Sequence, residues 1–151
     1  VSQIPDTLSD LYTDDHIKVA ITTFGVLHGP APAEDALTVD LTRALRNPPD
    51  DPAVRDRLIN LTGLDREVRQ YVMDTPGARQ IVQETAERTL AQLRHYADPK
   101  FFLVNLHIYC QGGRHRSVAV AEEVASWLRA EGVGVDIEHR DINKPVITKE
   151  N

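Results

Sequence analysis

Phe101-Phe102-Leu103-Val104-Asn105-Leu106-His107-Ile108-Tyr109, followed at once by Cys110-Gln111-Gly112-Gly113-Arg114-His115-Arg116-Ser117, is the stretch that decides the fold. In its first half Phe102, Val104, Leu106 and Ile108 alternate with the mixed set Leu103, Asn105, His107 and Tyr109. A period of two puts each set on its own face of a strand, and the apolar set marks that strand as central. In its second half a glycine pair lets the backbone turn sharply. Val118, Ala121, Val124, Ala125 and Leu128 then recur at helical spacing until Gly132 supplies a C-cap. With Val133 to His139 as a further strand, the order strand, helix, strand calls for parallel strands joined by a right-handed crossover.

The same pattern extends toward the N-terminus. Ile17 to Phe24 is short and β-branched and stops at Gly25, and Ala36 to Leu41 carries Asp40 to the end of a second strand. Thr62-Gly63-Leu64-Asp65 has the composition of a helix cap, with Leu64, Val68 and Val72 as the apolar stripe that follows until Thr75-Pro76-Gly77. Ala78, Ile81, Val82, Thr85, Ala86, Leu90 and Leu93 trace a longer helix ending near Asp98-Pro99. The expected fold is one three-layer α/β domain, with a mostly parallel sheet of about four strands and helices on both faces. Residues 1–16 form a polar lead-in, 17–142 the domain and 143–151 a tail. Ligands of such sheets sit outside the carboxyl ends of the strands. Asp40, the 110–117 loop and His139-Arg140-Asp141 should all lie at that edge.

Composition narrows the function. The 151 residues are 41% hydrophobic, enough for one core. The single cysteine excludes an internal disulfide, and no apolar run approaches the length of a membrane span. A cytoplasmic setting is expected, with no membrane partner. The chain starts at Val1, as a processed protein or a piece of a longer one would. The formal net charge of −6 opposes a polyanion, so phosphate contact must come from a local basic cluster. His16, His95 and His107 have no ligand spacing with the cysteine, so no metal is expected.

Residues 110–117 provide that cluster. Backbone N–H groups beside the glycine pair point toward one spot at the positive end of the following helix. Arg116 can offer paired donors to phosphate oxygens, Arg114 and a protonated His115 add charge, and Ser117 can donate its hydroxyl or cap the helix. Cys110, five residues, Arg116 and Ser117 also match the spacing of cysteine-dependent phosphatases. The alternative function is therefore a phosphatase or phosphotransferase with Cys110 as nucleophile and Arg116 as clamp, in which Asp40 or Asp141 would be the acid. Gln111, Gly112 and Gly113 complete the binding set, and His139 and Arg140 are added from the last strand.

The motifs Thr23-Phe24-Gly25, His28-Gly29, Asp40, Asn47-Pro48, Thr62-Gly63-Leu64-Asp65, Cys110 to Ser117 and His139-Arg140 occur in the order found in one known family. Residues 17 to 142 thus resemble the C-terminal domain of the RNase adapter RapZ. The resemblance implies a fold related to part of phosphofructokinase. It also implies a regulatory domain that binds glucosamine-6-phosphate and helps present a regulatory RNA to a nuclease. In the 110–117 loop this chain has Gln111 where the family has Thr, while Cys110, Gly112, Gly113, His115, Arg116 and Ser117 match. Asp40 matches the family aspartate that reaches the sugar. No Walker segment is present in this sequence, so no ATPase activity and no nucleotide cofactor is carried over. An RNA partner follows from the resemblance, but the net charge and the weakly charged tail with Lys144, Lys149 and Glu150 oppose it. A protein partner and a homo-oligomer remain open.

Overall fold

In the computed structural model, which describes residues 16–95 and 103–147, four strands form one parallel sheet in the order β2-β3-β1-β4. They are β1 (Ile17–Gly25), β2 (Leu37–Asp40), β3 (Val104–Cys110) and β4 (Gly134–His139). The helices are α1 (Arg55–Leu58), α2 (Arg66–Met73), α3 (Ala78–His95) and α4 (Arg116–Ala130). The α/β architecture is the expected one, and β3 is indeed an inner strand, paired with both β1 and β2. Phe101-Phe102, the helix end near Asp98-Pro99 and most of the lead-in lie outside the described residues.

Strand order settles what covers each face. The steps from β2 to β3 and from β3 to β4 run the same way across the sheet, so right-handed crossovers put α1 to α4 on one side. The step from β1 to β2 runs the opposite way and places its connection on the other side. Val19, Ile21, Leu106, Ile108 and Val135 point into the helical side and share a core with Val68, Val72, Ala86, Leu93, Val124 and Leu128. On the other side the β1–β2 connection, with a 3-10 turn at Val26–His28, supplies the third layer over Phe24, His107 and Tyr109. Phe24 stacks on Tyr109 with centroids 5.0 Å apart, and His107 Nε2 lies 3.0 Å from Glu34 Oε1.

One local expectation changes. Leu64 is 53% exposed, and the buried stripe of α2 is Val68, Val72 and Met73. Asp65 does occupy the N-cap position, but its carboxylate accepts from Thr62 N–H at 2.8 Å while Thr62 Oγ1 accepts from Leu64 N–H. The Thr62–Asp65 motif is thus a self-bonded turn. Its glycine has a packing role: Gly63 N–H donates to Arg114 O at 2.9 Å, and a Cβ there would meet Ala119 N at 2.5 Å and His115 O at 2.6 Å. Contact this close fits no side chain and presses the turn onto the start of α4. Gly63→Ala should therefore lower stability by about 1–3 kcal/mol through overpacking, whereas Leu64→Ser should stay within about 0.5 kcal/mol. Urea denaturation of the two variants checks both.

Candidate functional site

All four strands run parallel, so their carboxyl ends Gly25, Asp40, Cys110 and His139 share one edge. Cys110 is the last residue of β3, paired with Gly25, so it belongs to the sheet and the turn starts after it. Gly113 has φ +70°, a left-handed conformation suited to glycine, and a Cβ there would strike the backbone of Phe24 and Gly25. The loop can therefore lie directly against the end of β1.

That contact is held from behind by Asp141, whose side chain is 0% exposed. Its Oδ2 accepts from Gly25 N–H at 2.8 Å and from Arg140, and its Oδ1 pairs with Lys144 Nζ at 2.6 Å. Burial would raise the pKa of this carboxyl, but hydrogen bonds from Arg140, Lys144 and Gly25 outweigh it and hold the group well below the usual carboxylate range. Asp141 stays ionised and fully engaged, an arrangement that leaves no proton for general-acid work.

The basic side chains of the loop are also engaged. Arg114 donates from Nε to Leu61 O, from Nη1 to Ile142 O and from Nη2 to Asn60 O, at 3.1, 3.0 and 2.6 Å. Arg116 is 4% exposed, and its Nη1 donates to Leu41 O at 2.7 Å and to Ala44 O at 3.1 Å. Its Nε is buried with no partner among the protein's atoms, and so is Nε2 of His115. His115 is 4% exposed. Burial, then the charge of Arg114, push its pKa down to about 4, against a partial opposing pull from the carbonyls of Ile59, Leu61 and Leu58. At neutral pH the ring is uncharged, which replaces the expectation of a protonated His115. The cation count of the loop falls to two.

Cys110 is 2% exposed, within the core. Its thiol donates to Ser117 Oγ at 3.2 Å, and its sulfur accepts from Gly113 N–H at 3.2 Å. Ser117 is accordingly buried as the second residue of α4, and His115 takes the N-cap position without a side-chain cap bond. Among the described residues the N–H groups of Gly112, Arg114 and His115 donate to no protein acceptor.

In front of the loop lies a cleft of about 210 Å³, lined by Cys110, Gln111, Gly112, Gly113, Arg114 and His115 together with Leu27, Asn47, Pro49, Asp50 and Pro145 to Ile147. The structure thus brings Cys110 to His115 to the cleft but leaves five of the expected residues outside its lining: Arg116 and Ser117, which are buried at the start of α4, and Asp40, His139 and Arg140. Asp40 is exposed, and its Oδ1 accepts from both Thr42 N–H and Thr42 Oγ1–H, which lower its pKa. His139 bridges Thr23 Oγ1 at 2.7 Å and Glu122 Oε2 at 3.1 Å. Arg140 lies over the Phe24 ring and donates to the carbonyls of Gly29 and Pro30, pinning the β1–β2 connection. The lining residues sequence reasoning missed are Leu27, Asn47, Pro49, Asp50 and the 145–147 segment. The proline-rich composition of 47–52 marks a loop, but nothing local told which other loop it would face.

The sequence matches the family model of the RapZ C-terminal domain over residues 17–143. The chain belongs to the RapZ C-terminal domain family. It is 34% identical over 148 residues to a nucleotide-binding protein of Clavibacter michiganensis, covering 95% of this chain and 49% of that protein. A nucleotide-binding protein of Rhodospirillum centenum is 37% identical over 131 residues, covering 87% of this chain and 38% of that protein. One of Streptomyces coelicolor is 34% identical, with 87% and 42% covered. The chain therefore spans about half the length, or less, of the curated relatives it matches. Among the described residues no helix is long and apolar enough to cross a membrane, and no three His, Cys, Asp or Glu side chains converge as metal ligands.

The depressed pKa of His115 makes stability depend on pH. The unfolded ring titrates near its ordinary 6.5 and the folded one at about 4, so between these values the unfolded chain binds the extra proton. Stability is complete above pH 6.5 and falls as pH drops toward 4. Each unit of displacement corresponds to about 1.4 kcal/mol. Asp141 adds a further loss below the ordinary carboxyl value of 3.8, where the unfolded carboxylate protonates first. His115→Gln should flatten the melting temperature between pH 6.5 and 4.5 relative to wild type, as read by thermal scans at fixed ionic strength.

Proposed function

We propose that this chain is a regulatory sensor or adapter module that binds a phosphorylated small molecule, an amino-sugar phosphate such as glucosamine-6-phosphate, on the loop 110–117. The observation that supports the reading is the set of backbone N–H groups of Gly112, Arg114 and His115, which have no protein acceptor and belong to residues that line the cleft. A buried donor left unpaired costs roughly 1–3 kcal/mol, and an anion at a helix N-terminus is the ligand chemistry that repays it. Membership of the RapZ C-terminal family supports the same reading. Cys110, Gln111, Gly112, Gly113, Arg114, His115, Arg116 and Ser117 would form the phosphate cradle, with Arg114 and Arg116 contributing their positive field while their donors brace neighbouring loops. Binding would act by shifting the population of a state that engages a partner. A cytoplasmic protein or RNA partner belongs to the same proposal, the former being favoured by the net charge of −6.

The phosphatase alternative requires the Cys110 sulfur to face a bound phosphorus atom. Cys110 lines the cleft but is only 2% exposed, and its thiol donates to Ser117 Oγ while its sulfur accepts from Gly113 N–H, so the bonding capacity of the sulfur is taken up within the fold. Asp40, Arg116, Ser117, His139 and Arg140 lie outside the cleft lining; in this proposal Arg116 and Ser117 act from behind the loop, by charge and by the bond to Cys110, and the other three support its surroundings.

Glucosamine-6-phosphate at a hundredfold excess over its dissociation constant should stabilise the chain by about 2.7 kcal/mol. Glucosamine at the same concentration should give no shift, and equal shifts would remove the phosphate reading. Cys110→Ser should keep the ligand shift, and wild type should release no phosphate from an aryl phosphate above background. Turnover that disappears in Cys110→Ser would promote the phosphatase.

A further inference from the structure

The face of the sheet away from the helices carries a second cavity, which shares no lining residue with the cleft at the glycine loop. Strand register builds its floor. Thr22 of β1, His107 of β3 and Thr38 of β2 stand in one row across the sheet, and Phe24, Tyr109 and Asp40 stand in the next. A period of two sends His107 and Tyr109 to the face opposite Leu106 and Ile108, which belong to the core. The β1–β2 connection covers this floor and is tied down at both ends of its middle stretch. Arg140 donates to the carbonyls of Gly29 and Pro30, Glu34 meets His107, and Asp35 O accepts from Asn105 Nδ2 at 3.4 Å. Between floor and connection lies a cavity of about 320 Å³, whose lining includes Phe24, Val26, Pro30, Thr38, His107 and Tyr109.

That volume falls within the 300–1,000 Å³ of small-molecule sites, roughly at the lower end, and the walls have the composition of one: mostly apolar, with a few placed polar groups. Phe24 and Tyr109 stack, and His107 meets Phe24 edge to face with centroids 5.7 Å apart. His107 is 3% exposed, and its Nε2 is turned to the Glu34 carboxylate. A carboxylate only accepts, so in the uncharged ring the proton sits on Nε2 and Nδ1 is left as an acceptor. Among the described residues Nδ1 has no protein partner, and neither has the hydroxyl of Tyr109 or of Thr38. Nδ1 is not sealed in as Nε2 of His115 is, so it opens onto the cavity that its residue lines. No Asp, Glu, Lys or Arg lines the cavity, a setting that offers nothing to an ionic ligand.

The geometry points to this cavity as a second binding site, for a small neutral aromatic molecule that carries an N–H or O–H donor. The ring packs against the Phe24 and Tyr109 side chains, its donor bonds to His107 Nδ1, and the hydroxyls of Tyr109 and Thr38 receive any further polar group. This site is independent of the phosphate reading of the loop.

Indole and benzofuran have the same shape and differ in one N–H, which makes them the probes. In nitrogen–proton correlation spectra at mildly alkaline pH, indole should shift the signals of Gly29, Ala31, Thr38, His107 and Tyr109 along a saturable curve. Benzofuran should bind on the order of tenfold more weakly, because it leaves the acceptor unpaired. His107→Phe should abolish that preference. Where this variant does not fold, the Nδ1 resonance of wild-type His107 answers the same question: indole should move it and benzofuran should not. Equal affinities for the two probes in wild type, an Nδ1 resonance that stays still, or a preference that survives in folded His107→Phe overturns the inference. Shifts confined to residues 110–115, or displacement of indole by inorganic phosphate, place the probe in the first cleft and also overturn it. So does the absence of any saturable shift.

Discussion

The structure depends on backbone-to-backbone contact between the end of β1 and the loop after β3. Gly25 and Gly113 approach so closely that neither could carry a side chain, and the buried Asp141 carboxylate fixes Gly25 from the far side. A buried ionised carboxylate is tolerable only with several strong donors, and this one has a backbone N–H, a guanidinium and an ammonium. The cations are partly exposed, 25% for Arg140 and 43% for Lys144, which keeps their own desolvation small.

From that contact the rest of the edge is organised by arginines that bind carbonyl oxygens rather than carboxylates. Arg116 holds the 41–44 segment, Arg114 holds residues 60–61 and Ile142, and Arg140 holds the β1–β2 connection. Each gathers backbone carbonyls from a segment distant in sequence and satisfies groups that a buried loop would otherwise leave unpaired. The positive charges remain near the loop even though many of their donors are spent. These contacts position the loop's N–H groups before any ligand arrives, which is the preorganisation that anion binding rewards.

The histidines illustrate how burial, rather than residue type, sets the chemistry. His115 lies in the loop most suited to a cation, yet burial and the neighbouring Arg114 charge keep it neutral at pH 7. His139, which ends β4 at the same edge, instead ties Thr23 to Glu122 on the helical side of the sheet.

Period-two alternation in Phe101 to Tyr109, helical spacing in residues 78–93 and 116–130 and the glycine pair were enough to fix a parallel α/β domain with its loop at the strand ends. Those signals are local, because side-chain period and glycine conformations are properties of the chain itself. The RapZ motifs were legible for the same reason, as runs of adjacent residues. What decided the site was tertiary. The opposite directions of the crossovers put α1 to α4 on one face and the β1–β2 connection on the other. The engagement of Asp40 by Thr42, the capture of Arg114 and Arg116 by carbonyls, and the facing of Asp50 toward residues 110–115 depend on segments tens of residues apart. A side chain's remaining hydrogen-bonding capacity is whatever its folded neighbours leave unused, and no local pattern records which neighbours those will be.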